Sequence, residues 1–166
     1  MSELRNIRDR LVVVNGFSKA YAMTGWRIGY LLGPAEILSK AGLIHQHTAT
    51  CAAAPSQYAA LAALQGDQNF VDMMCRIYEK RRNLAVDGLK NTSFPLVYPE
   101  GTFYAMLDVA ALDTPPDQKS NKLLERYGIA SVNGISYGQS ASNFVRLSLT
   151  VDEALITAAI ERLRPY

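Results

Sequence analysis

The run Leu11-Val12-Val13-Val14 is apolar and mostly β-branched, and it passes into Asn15-Gly16 and the polar pair Ser18-Lys19, the pattern of a buried strand ending at a loop. A second apolar run, Ile28-Gly29-Tyr30-Leu31-Leu32, stops at Gly33-Pro34. Two predicted strands therefore bracket a loop that holds Lys19 and Arg27. A helical stretch follows Pro34, then an irregular polar segment over residues 45–54, then an Ala-rich run over 57–64 whose composition favours a helix. From Phe70 onward, Phe70, Met73, Met74, Ile77, Leu84 and Leu89 recur at helical spacing and predict a long amphipathic helix of about five turns.

The remainder alternates. Strands are predicted at 96–97, 102–107, 129–132 and 144–149, with a helix around 123–127. Thr150-Val151-Asp152-Glu153 has the Thr-x-x-Glu spacing of a capping box, and Ala154, Leu155, Ala158 and Leu163 form an apolar stripe behind it. Thr114-Pro115-Pro116-Asp117 marks a surface loop. This order predicts two parts: the end of a sheet-containing domain in residues 1–67, and a smaller α/β domain in 68–166. A strand apolar on both faces needs a layer on each side, and residues 1–67 supply few. The first part therefore reads as the end of a larger domain whose front lies elsewhere.

Composition narrows the function classes. Of 166 residues, 49% are hydrophobic and 19% charged, a globular balance. The 17 Lys and Arg are spread among 15 Asp and Glu, without the clustered basic face that a nucleic-acid backbone requires. Lys80-Arg81-Arg82, the densest basic stretch, lies in a helical pattern and reads as a solvated face. No apolar run approaches a membrane span, and residues 1–5 lack the apolar core of a secretory signal, so the expected compartment is cytoplasmic. Cys51, Cys75, His45 and His47 match no metal-ligand spacing; the cysteines read as packing residues in a reducing compartment, and no metal is expected.

The chemistry concentrates in the first loop. Lysine supplies a primary amine able to act as a nucleophile, and the planar fork of arginine suits an oxyanion. Taken singly, Lys19 also fits a surface loop lysine, and Arg27 an ion-pair partner within the fold. On the strand 144–149, Val145, Leu147 and Leu149 share one face while Phe144, Arg146 and Ser148 share the other, which turns Arg146 away from the packed side. Arg146 thus fits either a carboxylate ligand or an exposed strand arginine.

The segment Gly16-Phe17-Ser18-Lys19-Ala20-Tyr21-Ala22-Met23-Thr24-Gly25-Trp26-Arg27-Ile28-Gly29-Tyr30 closely resembles the cofactor-lysine motif of the class I/II, fold type I aminotransferases. In that motif Ser-Lys is followed by Gly-x-Arg-x-Gly. Ala54-Pro55-Ser56-Gln57-Tyr58-Ala59-Ala60, Pro99-Glu100-Gly101-Thr102-Phe103-Tyr104 and Phe144-Val145-Arg146-Leu147-Ser148-Leu149 resemble further segments of the same family.

The resemblance implies an α/β fold in which residues 1–67 end the large cofactor-binding domain and 68–166 form the small C-terminal domain. It implies pyridoxal 5'-phosphate as cofactor, held by Lys19 as a Schiff base with Arg27 on its phosphate, and amino-acid and keto-acid substrates gripped by Arg146 through the α-carboxylate. Gly25 and Gly29 would let the backbone turn close to the ligand. A homodimer or larger homo-oligomer is implied as well.

Two departures stand out. Gly16 replaces a serine that many relatives use on the phosphate, and Asn133-Gly134 replaces a common Pro-Gly, which predicts a different turn before Tyr137. Thr50 and Cys51 lie where relatives approach the site from the partner subunit. The family's ring-nitrogen aspartate, stacking aromatic and glycine-rich phosphate turn all lie further upstream of the lysine than this chain extends. The expected function is therefore transamination as part of a longer enzyme, with the isolated chain inactive. The alternatives are a non-catalytic association module, or another fold type I enzyme such as a lyase or synthase.

Overall fold

The structure is a computed structural model, and it describes residues 6–164; the polar stretch 1–5 lies outside the described residues. The fold is mixed α/β and divides into two compact units, Met1–Asp72 and Met73–Tyr166.

In the first unit, strands β1 (Val13–Gly16) and β2 (Gly29–Leu32) pair antiparallel, with Val13 opposite Leu32 and Gly16 opposite Gly29. Helices α1 (Ala35–Thr48) and α2 (Ala54–Gln65) follow, and the long α3 (Asn69–Leu89) begins here. The predicted strands form, but burial does not accompany them: Val14 is 76% exposed, and Leu31 and Leu32 are exposed too. A two-stranded hairpin is marginal alone. Its support is a small cluster of Phe17, Met23 and Ala60, joined by Tyr21, Ile28 and Tyr30.

Helix α1 also runs through residues 45–48, where an irregular segment was expected. Nothing there breaks a helix, Thr48 Oγ1 bonds back to the Ile44 carbonyl at 3.0 Å, and polarity reflects only that these residues are exposed. Cys51 and Cys75 are exposed rather than packed.

The second unit holds an antiparallel sheet in the order β3 (Leu96–Val97), β4 (Tyr104–Asp108), β6 (Phe144–Ser148), β5 (Val132–Asn133). Period-2 alternation sends Ala105, Leu107 and Val145 into a core shared with Ala85 and Leu89 of α3, Leu123 and Tyr127 of α4 (Lys119–Tyr127), and Ile156, Ile160 and Leu163 of α5 (Glu153–Leu163). Leu107, Leu123, Val145 and Leu163 are fully buried, each contributing about 1.5–3 kcal/mol. The opposite face of the sheet carries Tyr104, Met106 and Arg146.

Three local expectations change here. The N-cap of α5 is Asp152, whose Oδ1 accepts from Leu155 N at 2.9 Å, rather than Thr150. With the helix phased from Asp152, its inward stripe is Ile156, Ile160 and Leu163, and Leu155 faces outward. The basic stretch is solvated only at Lys80. The Arg81 side chain is 16% exposed, reaches the Leu149 and Thr150 carbonyls, and lies 3.8 Å from Glu153; Arg82, 15% exposed, stacks 4.8 Å from the Tyr98 ring and bonds Glu79. Long side chains bury their stems, so charge alone does not place a residue in solvent.

Candidate active site

The first part of the site is the loop between β1 and β2. Phe17 N donates to the Ile28 carbonyl at 3.4 Å and closes the hairpin, and the Phe17 carbonyl accepts from Tyr21 N and Met23 N. The rings of Tyr21 and Tyr30 lie 5.5 and 5.6 Å from that of Phe17. With Phe17 and Met23 buried as anchors and Tyr21 packed against them, Lys19, Ala20 and Ala22 are presented outward, and Lys19 stands exposed on the turn directly after β1.

Arg27 closes the other end of the loop. Its backbone is left-handed at φ 50°, as is that of Ala22 at 53°, a conformation that costs a non-glycine residue about 1–2 kcal/mol. Three contacts hold the loop in it. Thr24 Oγ1 donates to the Ser18 carbonyl at 2.9 Å, Arg27 Nη1 donates to the Thr24 carbonyl at 3.0 Å, and the buried Ser56 donates its hydroxyl to the Trp26 carbonyl at 2.8 Å, tying the loop to α2. No carboxylate among the described residues lies within ion-pair distance of Arg27. An exposed amine and an exposed guanidinium on one braced loop match a ligand with an aldehyde at one end and a phosphate at the other, so the donor set fits pyridoxal phosphate.

The two motif glycines differ in why the chain needs them. A Cβ on Gly29 would stand 2.9 Å from the Asn15 carbonyl oxygen across the strand pair, so the fold itself requires glycine there. One on Gly25 would meet nothing within 4 Å. At Gly16 a Cβ would sit 3.5 Å from the Ile28 carbonyl, an ordinary contact, so the fold would accept serine. Thr50 and Cys51 are both exposed, and Thr50 is left-handed at φ 64°.

Arg146 belongs to the second unit. On β6 it pairs with Met106 of β4 and Val132 of β5. Its guanidinium carbon lies 4.0 Å from the centre of the Tyr104 ring and 5.0 Å from that of Tyr137. No hydrogen bond or ion pair to a described residue engages its N–H groups. A cation held by rings rather than by an acid keeps its hydrogen-bonding edge for a planar anion.

The departure at Asn133 also has a structural account. Its φ of −57° lies in the range proline would impose. Its side chain accepts from Ser120 N at 2.6 Å and donates to the Asp117 carbonyl at 2.5 Å, clamping the segment to the start of α4.

Lys19 and Arg27 thus share one loop, and Arg146 stands on the sheet of the other unit. Sequence reasoning missed Ser56 as a brace, and Tyr104 and Tyr137 as the surroundings of Arg146. Tyr104 was within reach, because period-2 alternation on two paired strands puts it diagonal to Arg146. Tyr137 carries no such local signal.

The family model described as aminotransferase class I and II matches residues 2–163. The aspartate aminotransferase of Thermotoga maritima is 35% identical over 158 residues, covering 95% of this chain and 40% of that protein. The crystal structure of the aromatic aminotransferase from Pyrococcus horikoshii OT3 aligns with a TM-score of 0.89 at 31% identity, covering 98% of this chain and 44% of that one. The Thermus thermophilus aspartate aminotransferase solved with maleate aligns at 0.86 and 34% identity, over 95% of this chain and 41% of its own. The chain therefore spans less than half the length of the relatives it matches.

Proposed function

Because the chain belongs to the class I and II aminotransferases, a family of pyridoxal-phosphate enzymes, we propose that it supplies the lysine-and-arginine part of a transaminase site acting on an amino acid and a keto acid. The observation that carries this reading is the braced loop: an exposed Lys19 and an exposed Arg27, both presented outward by the buried Phe17, Met23 and Ser56.

Pyridoxal phosphate, when bound, supplies a ring that takes up the charge left as a substrate carbon loses its proton. Lys19 Nζ would hold the cofactor's aldehyde carbon and, once displaced by the substrate amine, move a proton from the α-carbon. Arg27 would set paired, charge-assisted hydrogen bonds on the phosphate, and Arg146 on the substrate α-carboxylate. In this reading residues 1–67 close the large domain and 68–166 form the small one, within an oligomeric enzyme whose remaining site residues lie outside this chain.

Borohydride reduction of the complete, cofactor-loaded enzyme followed by peptide mass analysis tests the assignment. The expected result is one modified lysine, Lys19; modification of any other lysine in its place overturns it.

A further inference from the structure

We propose that Tyr137 is a positioning residue for Arg146. Together with Tyr104 it holds the guanidinium in the orientation that receives a carboxylate, a proposal that rests on the carboxylate role given to Arg146 above. A guanidinium on a three-methylene stem is mobile, and side-chain entropy opposes any single pose. Here none of the described carboxylates restrains it. What does restrain it is aromatic: Tyr104 at 4.0 Å and Tyr137 at 5.0 Å.

The two rings arrive by different routes. Tyr104 lies on β4 in register with Ser148, diagonal to Arg146 on the same face of the sheet, so sheet pairing alone delivers it. Tyr137 ends the short 3-10 helix Gly134–Tyr137, outside any strand, and something must hold that helix. Its entry is held twice. The Asn133 amide spans Ser120 N and the Asp117 carbonyl. Gly134 is buried so tightly that a Cβ would come within 2.5 Å of the Phe144 carbonyl oxygen and collide with that of Ala141. The ring is therefore delivered by a fixed segment, although it is itself 50% exposed and fills no core.

The hydroxyl of Tyr137 makes no described hydrogen bond, so the ring face, and not the O–H, is what Arg146 uses.

The test compares Arg146→Lys, Tyr137→Ala and Tyr137→Phe in the complete enzyme, on an amino acid and on its decarboxylated amine. Tyr137→Ala should raise KM for the amino acid about five- to tenfold, the range of a partly desolvated cation–π contact, with kcat little changed and the amine unaffected. Tyr137→Phe should restore the wild-type value. Three results overturn the proposal: no change in Tyr137→Ala, equal losses on both substrates, or a Tyr137→Phe loss as large as that of alanine. Arg146→Lys separates the two levels of the argument. A selective loss on the amino acid with an unaffected Tyr137→Ala sinks only the positioning role, whereas equal losses in Arg146→Lys on both substrates sink the carboxylate reading and this proposal with it.

Discussion

The two glycines of the Gly-x-Arg-x-Gly segment should respond oppositely to alanine, although both stand beside Arg27. At Gly29 the added Cβ would lie 2.9 Å from the Asn15 carbonyl oxygen, and tight contacts of real Cβ atoms begin near 3.0 Å and become ordinary at 3.4 Å. The obstacle is backbone rather than a flexible side-chain tip, so β1 and β2 must part by up to about half an ångström at the Gly16–Gly29 pair. Overpacking of this kind costs about 1–3 kcal/mol. The hairpin has little to absorb it with, since its buried cluster is Phe17, Met23 and Ala60.

At Gly25 the Cβ enters open space and the backbone is not left-handed, so alanine should stabilise by about 0.4–1 kcal/mol through the unfolded chain. Urea denaturation of the two variants beside the parent measures both. A Gly25→Ala loss equal to that of Gly29→Ala would refute the reasoning. If Gly25→Ala is stable yet binds pyridoxal phosphate poorly in the complete enzyme, the glycine at that position serves the ligand and not the fold.

Two further outcomes follow from the second unit. Asp152→Ala removes the bond to Leu155 N and should lower stability by about 1 kcal/mol, while Thr150→Ala should cost less than half as much; the reverse order in urea midpoints would restore Thr150 as the cap. Lys119, 3% exposed, donates to the Val109 and Leu112 carbonyls, both of which keep a backbone N–H partner when the lysine is removed. Lys119→Met should therefore cost about 1–2 kcal/mol by thermal or urea unfolding, well short of the penalty for leaving buried acceptors bare; an unchanged midpoint would mean that burying the charge already cancels the two bonds.

Local pattern was enough for the hairpin that carries Lys19 and Arg27, because a β-branched run broken by Asn-Gly and a second run stopped by Gly-Pro are decided within a few residues. The same holds for the side of β6 on which Arg146 stands, since alternation along a strand is set by the backbone alone. The motif residues that tie the chain to its family were likewise legible one by one.

Other features depend on residues far apart in the chain. Arg81 and Arg82 leave solvent because Glu153, the Leu149 carbonyl and Tyr98 come to meet them. The inward stripe of α5 is chosen by Asp152 and by the core that Ala85, Leu89 and Leu123 present to it, not by which apolar residues the helix contains. Whether Gly25 or Gly29 answers to the fold is settled by an oxygen on Asn15, across a strand pair. Tyr137 stands beside Arg146 on a segment held by Asn133, bonded to Asp117 and Ser120, and by the close packing of Gly134 against Phe144 and Ala141. A sequence states what each residue can contact; which contact it makes is fixed by the register and packing of elements that fold against it from elsewhere in the chain.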